Sequence, residues 1–261
     1  MSHEIISPRR CRPGDKVAVL SPSWAAPALF PEVHEQALRR IRDDLGLEPV
    51  EYPTTRRLAS PEERAADIMT AFADPEIRAV LATIGGDDQV TVLRHLDPEV
   101  VRADPKPFFG YSDNTNLLNY LWRLGIVGYH GGSIMVHLGR GGRMHPAHAR
   151  SLRDALFGNG WYALEPPAQW GDESGDWADP ASLESEPPMW DSVGWDWMAT
   201  ATGVIEGRTW GGNLEIVSWL LQAGQVEESR RYAGCILLLE TSEEMPSATE
   251  VYRILRNMGE R

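Results

Sequence analysis

Cysteine, long apolar runs and positive charge are all scarce in this 261-residue chain, and each shortage excludes something. Two cysteines, Cys11 and Cys235, cannot build a disulfide framework and sit in no metal-binding spacing. Cys235 opens the apolar run Cys235-Ile236-Leu237-Leu238-Leu239 and reads as a small hydrophobe in a buried strand. Such runs fall far short of the roughly 18 residues that a bilayer crossing needs. Residues 1–10 lack the apolar core of a signal peptide, so the chain reads as cytoplasmic and without a membrane partner. Lys and Arg number 25 against 38 Asp and Glu, a formal net charge of −13. Phosphate backbones demand clustered positive charge, which argues against a nucleic-acid partner.

What is present is an ordinary globular composition, 42% hydrophobic and 24% charged, able to bury a sizeable core. Residues 1–160 alternate strand-like and helical patterns. Strands are expected at residues 16–20, 47–52, 79–84 and 107–111. Between them lie helical spacings at 31–45, 60–73, 89–96 and 116–124. Ser60-Pro61-Glu62-Glu63 carries a cap residue, a first-turn proline and a glutamate three places on, and Gly46 stands where a helix should stop. This order predicts an α/β fold, a mostly parallel sheet flanked by helices, with ligands at the carboxyl ends of its strands.

From residue 161 the character changes. Seven of the ten tryptophans lie from Trp161 to Trp210, and no Lys or Arg falls between Arg153 and Arg208. Residues 161–185 read as an acidic connector rich in Trp, Pro and Gly. Residues 186–261 read as a second, β-rich unit with a turn at Trp210-Gly211-Gly212-Asn213, a helix over 214–221, a strand over 235–239 and a helical spacing over 246–258. The helical spacing is followed by only Gly259-Glu260-Arg261, so this unit is expected to be incomplete. Trp190, within a tryptophan cluster reaching Trp197, has two readings. It either stacks on a flat ring, worth about 1–3 kcal/mol per base, or fills the interface between domains.

The sharpest chemical signal is Phe109-Gly110-Tyr111-Ser112-Asp113-Asn114-Thr115, between a strand and a helix. A serine at such a turn points its hydroxyl from the top of the sheet, and N–H groups at the helix start face a developing oxyanion. Asn114 replaces the second glycine of the usual G-x-S-x-G elbow, and Ser112 or Asp113 as a plain helix cap is the competing reading. Ile84-Gly85-Gly86 is a second glycine turn at a strand's end. Glycine lets its backbone approach the same oxyanion, although alone it reads as a tight turn before an acidic cap. It carries neither a G-x-G-x-x-G pattern nor a Walker lysine. His145 and His148 are separated by Pro146 and have no partner carboxylate pattern, so no metal site is expected.

Gly110-Tyr111-Ser112-Asp113, with Ile84-Gly85-Gly86 before it and Gly211-Gly212-Asn213-Leu214 and Leu237-Leu238-Leu239-Glu240 after it, resembles the serine LD-carboxypeptidase family, which includes the microcin-immunity peptidases. The resemblance runs from about Gly14 to the end of the chain. It implies an N-terminal α/β domain, a β-rich C-terminal domain and a Ser–Glu–His triad where they meet. Carried onto this sequence, Ser112 is the nucleophile and Glu240 orients the histidine. The amides of Asp113 and Gly86 form the oxyanion hole, and Asn213 lies beside the substrate. Glu215 is a rival acid, better explained as a first-turn helix residue. No cofactor is implied, and a homodimer is.

All seven histidines lie at or before His148, whereas the family pattern places its base in the C-terminal domain, beyond Arg261. The chain as given is therefore expected to be close to inactive, since a serine without its base loses most of its rate advantage. His130, in Gly128-Tyr129-His130-Gly131-Gly132, is the one substitute base to consider. Its competing reading is a partly buried, hydrogen-bonded residue. Three functions remain open: a carboxypeptidase cleaving a small peptide or peptidyl-nucleotide, one cleaving cell-wall muropeptides, and a small-ligand-binding module without turnover.

Overall fold

A computed structural model describes residues 5–172, 175–198 and 203–261; residues 173–174 of the expected connector lie outside it. The first strands and helices are β1 (Lys16–Leu20), α1 (Pro31–Asp43), β2 (Glu48–Glu51), α2 (Pro61–Ala73), β3 (Ile77–Ala82) and α3 (Pro98–Ala103). They continue as β4 (Phe108–Gly110), α4 (Thr115–Arg123), β5 (Tyr129–His130) and α5 (Pro146–Phe157). The five strands form one parallel sheet in the order β2-β1-β3-β4-β5.

Side chains along these strands alternate between two cores, as the period of two requires. Ala18, Leu20, Val80 and Phe108 face a cluster built with Phe72 of α2 and Leu117 and Leu121 of α4. Val17, Val19, Leu81 and Phe109 face the other side, against Leu38 and Ile41 of α1 and Leu156 of α5. Each large side chain so buried contributes about 1.5–3 kcal/mol relative to exposure. A sheet covered on both faces leaves only its strand ends open to a ligand.

Local signals explain several boundaries. Ser60 caps α2 with Glu63 in a reciprocal box, and Gly46, at φ +67, ends the α1 segment in the left-handed conformation glycine adopts freely. The helix expected over 89–96 is instead two short 3₁₀ turns, Gln89–Thr91 and Leu93–His95. Gln89 is drawn into the interior by hydrogen bonds described below, which breaks the helical run. Pro146 does not interrupt a helix but opens α5 at its first position, where the missing N–H costs nothing.

Beyond the sheet, β6 (Gln169–Trp170) and β7 (Trp190–Asp191) form an antiparallel hairpin. The turn expected at 210–213 is instead a strand, β8 (Thr209–Asn213), paired in parallel with β9 (Ile236–Glu240), while α6 (Leu214–Gln222) and α7 (Ala248–Glu260) complete the chain. Gly211 and Gly212 are required there. A Cβ on Gly211 would stand 2.0 Å from the Leu238 carbonyl oxygen, and one on Gly212 2.4 Å from Thr115 Oγ1. α6 packs Ile216 and Leu220 into the sheet's own core. Trp210 Nε1 donates to Asn119 Oδ1 at 3.1 Å, fastening β8 to α4.

One expectation about burial fails. The apolar run before Glu240 is not a buried strand: Ile236, Leu237 and Leu238 are 37%, 52% and 51% exposed, and Cys235 is partly exposed. Among the described residues β9 pairs along one edge only, with β8. Apolar composition alone cannot tell a covered strand from an uncovered one.

Candidate active site

β4 ends at Gly110 and the chain turns sharply. Tyr111 is extended at φ −153, Ser112 has φ +59, and α4 begins three residues later. A non-glycine residue held in the left-handed region costs on the order of 1–3 kcal/mol and persists only where its surroundings impose it. Here they do. A Cβ on Gly110 would meet Asn114 Cβ at 2.7 Å, so these two positions pack backbone against side chain. Asn114 Nδ2 donates to the Ile84 and Tyr111 carbonyls at 3.0 and 3.1 Å. Asn114 thus replaces the second elbow glycine by tying the turn down rather than by leaving room. Neither Ser112 nor Asp113 caps a helix end, which removes the plain-cap reading.

Three strand ends are laced together beneath the serine. Asp113, fully buried, accepts from Ser23 Oγ, from the Gln89 backbone N–H at 2.9 Å and from Asn116 Nδ2 at 2.8 Å. Burial pushes its carboxyl pKa above the ordinary range, against the downward pull of the Ser23 and Gln89 donors. Gln89, also fully buried, donates from Nε2 to Asn114 Oδ1 at 2.8 Å and accepts at Oε1 from the Leu117 N–H at 3.0 Å. The Trp24 N–H donates to the Gly85 carbonyl at 3.1 Å. As a result the second glycine turn is pressed onto the elbow. A Cβ on Gly85 would stand 2.8 Å from Ser112 Oγ and 3.3 Å from the Asp113 amide nitrogen. The residue against the serine is Gly85; Gly86, the sequence candidate, abuts Ser23 and Trp24, with its amide at the peptide joining the two glycines.

The acid arrives from the far end of the chain. Glu240 ends β9 as the register partner of Asn213, and its Oε1 accepts from the Ser112 N–H at 3.4 Å. Its Oε2 lies 3.3 Å from His130 Nε2. Asn213 is buried and caps α6, Oδ1 accepting from the Ile216 N–H at 3.0 Å, while its own N–H donates to Thr115 Oγ1 at 2.9 Å. Glu215 holds the loop after Glu240 by accepting from the N–H and hydroxyl of Ser242 at 3.1 and 2.7 Å.

Behind the elbow runs a row of rings. Tyr111 stacks on His137 at 5.4 Å between centroids, and His137 lies 4.0 Å from His148. Desolvation lowers the His137 pKa to about 3, and that of His148, whose side chain is more open to solvent, to about 4, so both are neutral at pH 7. His145 caps α5 through Nδ1, at 3.2 Å from the Ala147 N–H. Trp190 sits in the β6–β7 hairpin, 5.4 Å from Trp170. Trp170, Trp177 and Trp195 line a neighbouring cavity of about 440 Å³, and Trp190 is not in its wall. Among the described residues no group of three or more His, Cys, Asp or Glu is arranged to hold a metal.

The structure brings Ser112, Asp113, Gly85-Gly86, Asn213 and Glu240 to one strand-end region and leaves Trp190 on a separate hairpin. Sequence reasoning missed Gln89, Ser23 and the His130 contact with Glu240. A polar Gln89 directly after Asp87-Asp88 at a strand's end was the available signal for the first.

The sequence profile of the LD-carboxypeptidase N-terminal domain matches residues 17–131, the stretch that carries the sheet and the elbow. A Vibrio cholerae protein with a provisional carboxypeptidase name is 29% identical over 236 residues, covering 88% of this chain and 68% of that protein. The microcin C7 self-immunity protein MccF of Escherichia coli is 27% identical over 72% of this chain; the aligned part spans about half, 54%, of MccF. The solved structure of MccF in complex with glutamyl sulfamoyl guanosine shares the fold, with a TM-score of 0.82 at 24% identity over 97% of this chain and 75% of that one. Elbow and profile agree over one stretch: residues 17–131 match the LD-carboxypeptidase N-terminal domain, and the chain shares the fold of MccF.

Proposed function

We propose that the protein is a serine carboxypeptidase that hydrolyses an amide near the carboxyl end of a small peptide or peptide–nucleotide conjugate. The observation that supports it most directly is Ser112, strained at a strand end, with a carboxylate delivered to its amide from a distant strand. Ser112 Oγ attacks the scissile carbonyl carbon while an imidazole takes its proton. The family pattern places that base in the C-terminal domain, with Glu240 orienting it. The carbonyl oxygen becomes an oxyanion that accepts from the Asp113 and Gly86 amides. The amine departs with the proton, and water then releases the acyl group and restores the serine. Asn213 offers its remaining amide N–H groups to the substrate, since its oxygen is engaged in the α6 cap. The reaction calls for no cofactor.

A peptidyl-nucleotide substrate is favoured because MccF, which shares the fold, holds glutamyl sulfamoyl guanosine. Cleavage of a muropeptide L,D bond is the second reading, supported by the match of residues 17–131 to the LD-carboxypeptidase N-terminal domain. A fluorophosphonate probe should label Ser112 in the full chain and not in Ser112→Ala. Hydrolysis rates for an aminoacyl-sulfamoyl adenosine and a muropeptide tetrapeptide then separate the two substrates. Absence of labelling in the parent would turn the assignment toward a binding module, and equal labelling of both variants would remove Ser112 as the nucleophile.

A further inference from the structure

His130 stands in the edge strand β5 as the register partner of Gly110, two residues before the nucleophile. Neighbouring strands lie about 4.8 Å apart, so its side chain rises one strand over from the elbow. Its ring is 6.1 Å from that of Tyr111. Nε2 lies 3.3 Å from Glu240 Oε2, while the other oxygen of the same carboxylate takes the Ser112 N–H. One acid therefore has its two oxygens assigned to two different partners, one from the elbow and one from the sheet's edge.

We propose that His130 is a positioning residue for Glu240. By donating from Nε2 to Oε2 it holds the carboxylate in the rotamer that keeps Oε1 at the elbow. The role rests on the hydrolase reading above. It differs from that of the base, because among the described residues His130 meets Glu240 and makes no hydrogen bond to the Ser112 hydroxyl. Both side chains are partly exposed, 25% and 39%, so the contact adds little to folding. Its consequence lies in geometry: displacement of a catalytic group by about 1 Å costs on the order of 100-fold in rate.

The test compares the full chain with His130→Ala, His130→Gln, Glu240→Ala and Ser112→Ala. Two quantities are read: the kinetics of fluorophosphonate acylation and amide hydrolysis, and the His130 tautomer by nitrogen NMR. His130→Ala is expected to acylate roughly 10- to 100-fold more slowly with KM and Tm nearly unchanged. His130→Gln, which keeps a donor at similar reach, is expected to recover most of that loss. The Nε2–H tautomer should dominate in the parent and in Ser112→Ala, and lose its preference in Glu240→Ala. A wild-type rate for His130→Ala, or a His130→Gln as slow as the alanine variant, overturns the role. An unchanged tautomer in Glu240→Ala, with labelling still dependent on Ser112, removes the contact and leaves the hydrolase standing. Labelling that ignores Ser112 while the tautomer signature persists removes the hydrolase, and the role with it.

Discussion

The carboxylate of Glu240 accepts a hydrogen bond from the backbone N–H of Ser112, 3.4 Å away in space and 128 residues away in sequence. At that distance the bond is long and contributes little to stability by itself. On the hydrolase reading proposed above its value is positional, since it sets a negative charge beside Ser112, where that reading forms an imidazolium. Glu240→Gln keeps an acceptor for the Ser112 amide and loses the charge. Its kcat is expected to fall about 10³- to 10⁴-fold, the size of effect seen when a triad acid becomes an amide. KM and Tm should move little. A variant with more than a tenth of the parent kcat would remove Glu240 from the chemistry.

Strain at Ser112 makes a prediction of opposite sign for stability. Both Ser112→Ala and Ser112→Gly abolish acylation, but only glycine relaxes at φ +59. The glycine variant should exceed the alanine variant by about 1 kcal/mol, or roughly 2–4 °C in Tm for a chain of this size. Equal melting points would mean that the elbow is not strained.

Gly85→Ala tests the closeness of the two glycine turns. The added methyl would meet Ser112 Cβ and Oγ at 2.8 Å, inside normal contact. One of the two turns must shift by several tenths of an ångström, and the proposed oxyanion site is between them. Acylation is expected to fall about 100-fold, a loss typical of a misaligned site, in a protein that still folds cooperatively. An active Gly85→Ala would place the oxyanion elsewhere.

The doubly covered sheet was legible because burial on two faces leaves apolar runs between capped helices, and Ser60 with Glu63 or Gly46 announce their boundaries. The elbow was legible for a similar reason, since a turn between strand and helix has few chemical solutions. Gln89 was not: a polar residue in a helical spacing looks solvated until its partners Asn114 and Leu117 are known to converge on it. β8 was misread as a turn because Gly211-Gly212 suggests one. The glycines are there for close approach to Leu238 and Thr115, which no local pattern reveals. The His130–Glu240 contact depends on register between distant strands, and single-sequence spacing carries none of that information.

Gln89→Leu probes that hidden scaffold. The substitution is nearly isosteric and leaves Asn114 Oδ1 and the Leu117 N–H buried without their partners. Each such loss costs about 1–3 kcal/mol, so a decrease of roughly 2–6 kcal/mol in unfolding free energy is expected, together with weaker acylation as the elbow loosens. Urea unfolding measures the first and probe labelling the second. Full stability in Gln89→Leu would show that the network is not satisfied as described.

The neutral histidines give the protein an acid limit. In the unfolded chain a histidine takes up its proton near pH 6.5, whereas His137, desolvated and beside His148, resists protonation down to about pH 3. Between those values the unfolded state binds more protons than the native one, so stability is complete above pH 6.5 and is lost as pH falls toward 3. The slope from His137 is at most about 1.4 kcal/mol per pH unit. His148, more exposed, adds less. Carboxylates add their own slope at lower pH, so the informative comparison is with His137→Phe. That variant keeps a ring against Tyr111 and cannot take a proton. Its urea midpoint should change less than the parent's between pH 6.5 and 4.5. Parallel pH profiles for the two proteins would mean that His137 is solvated and titrates normally.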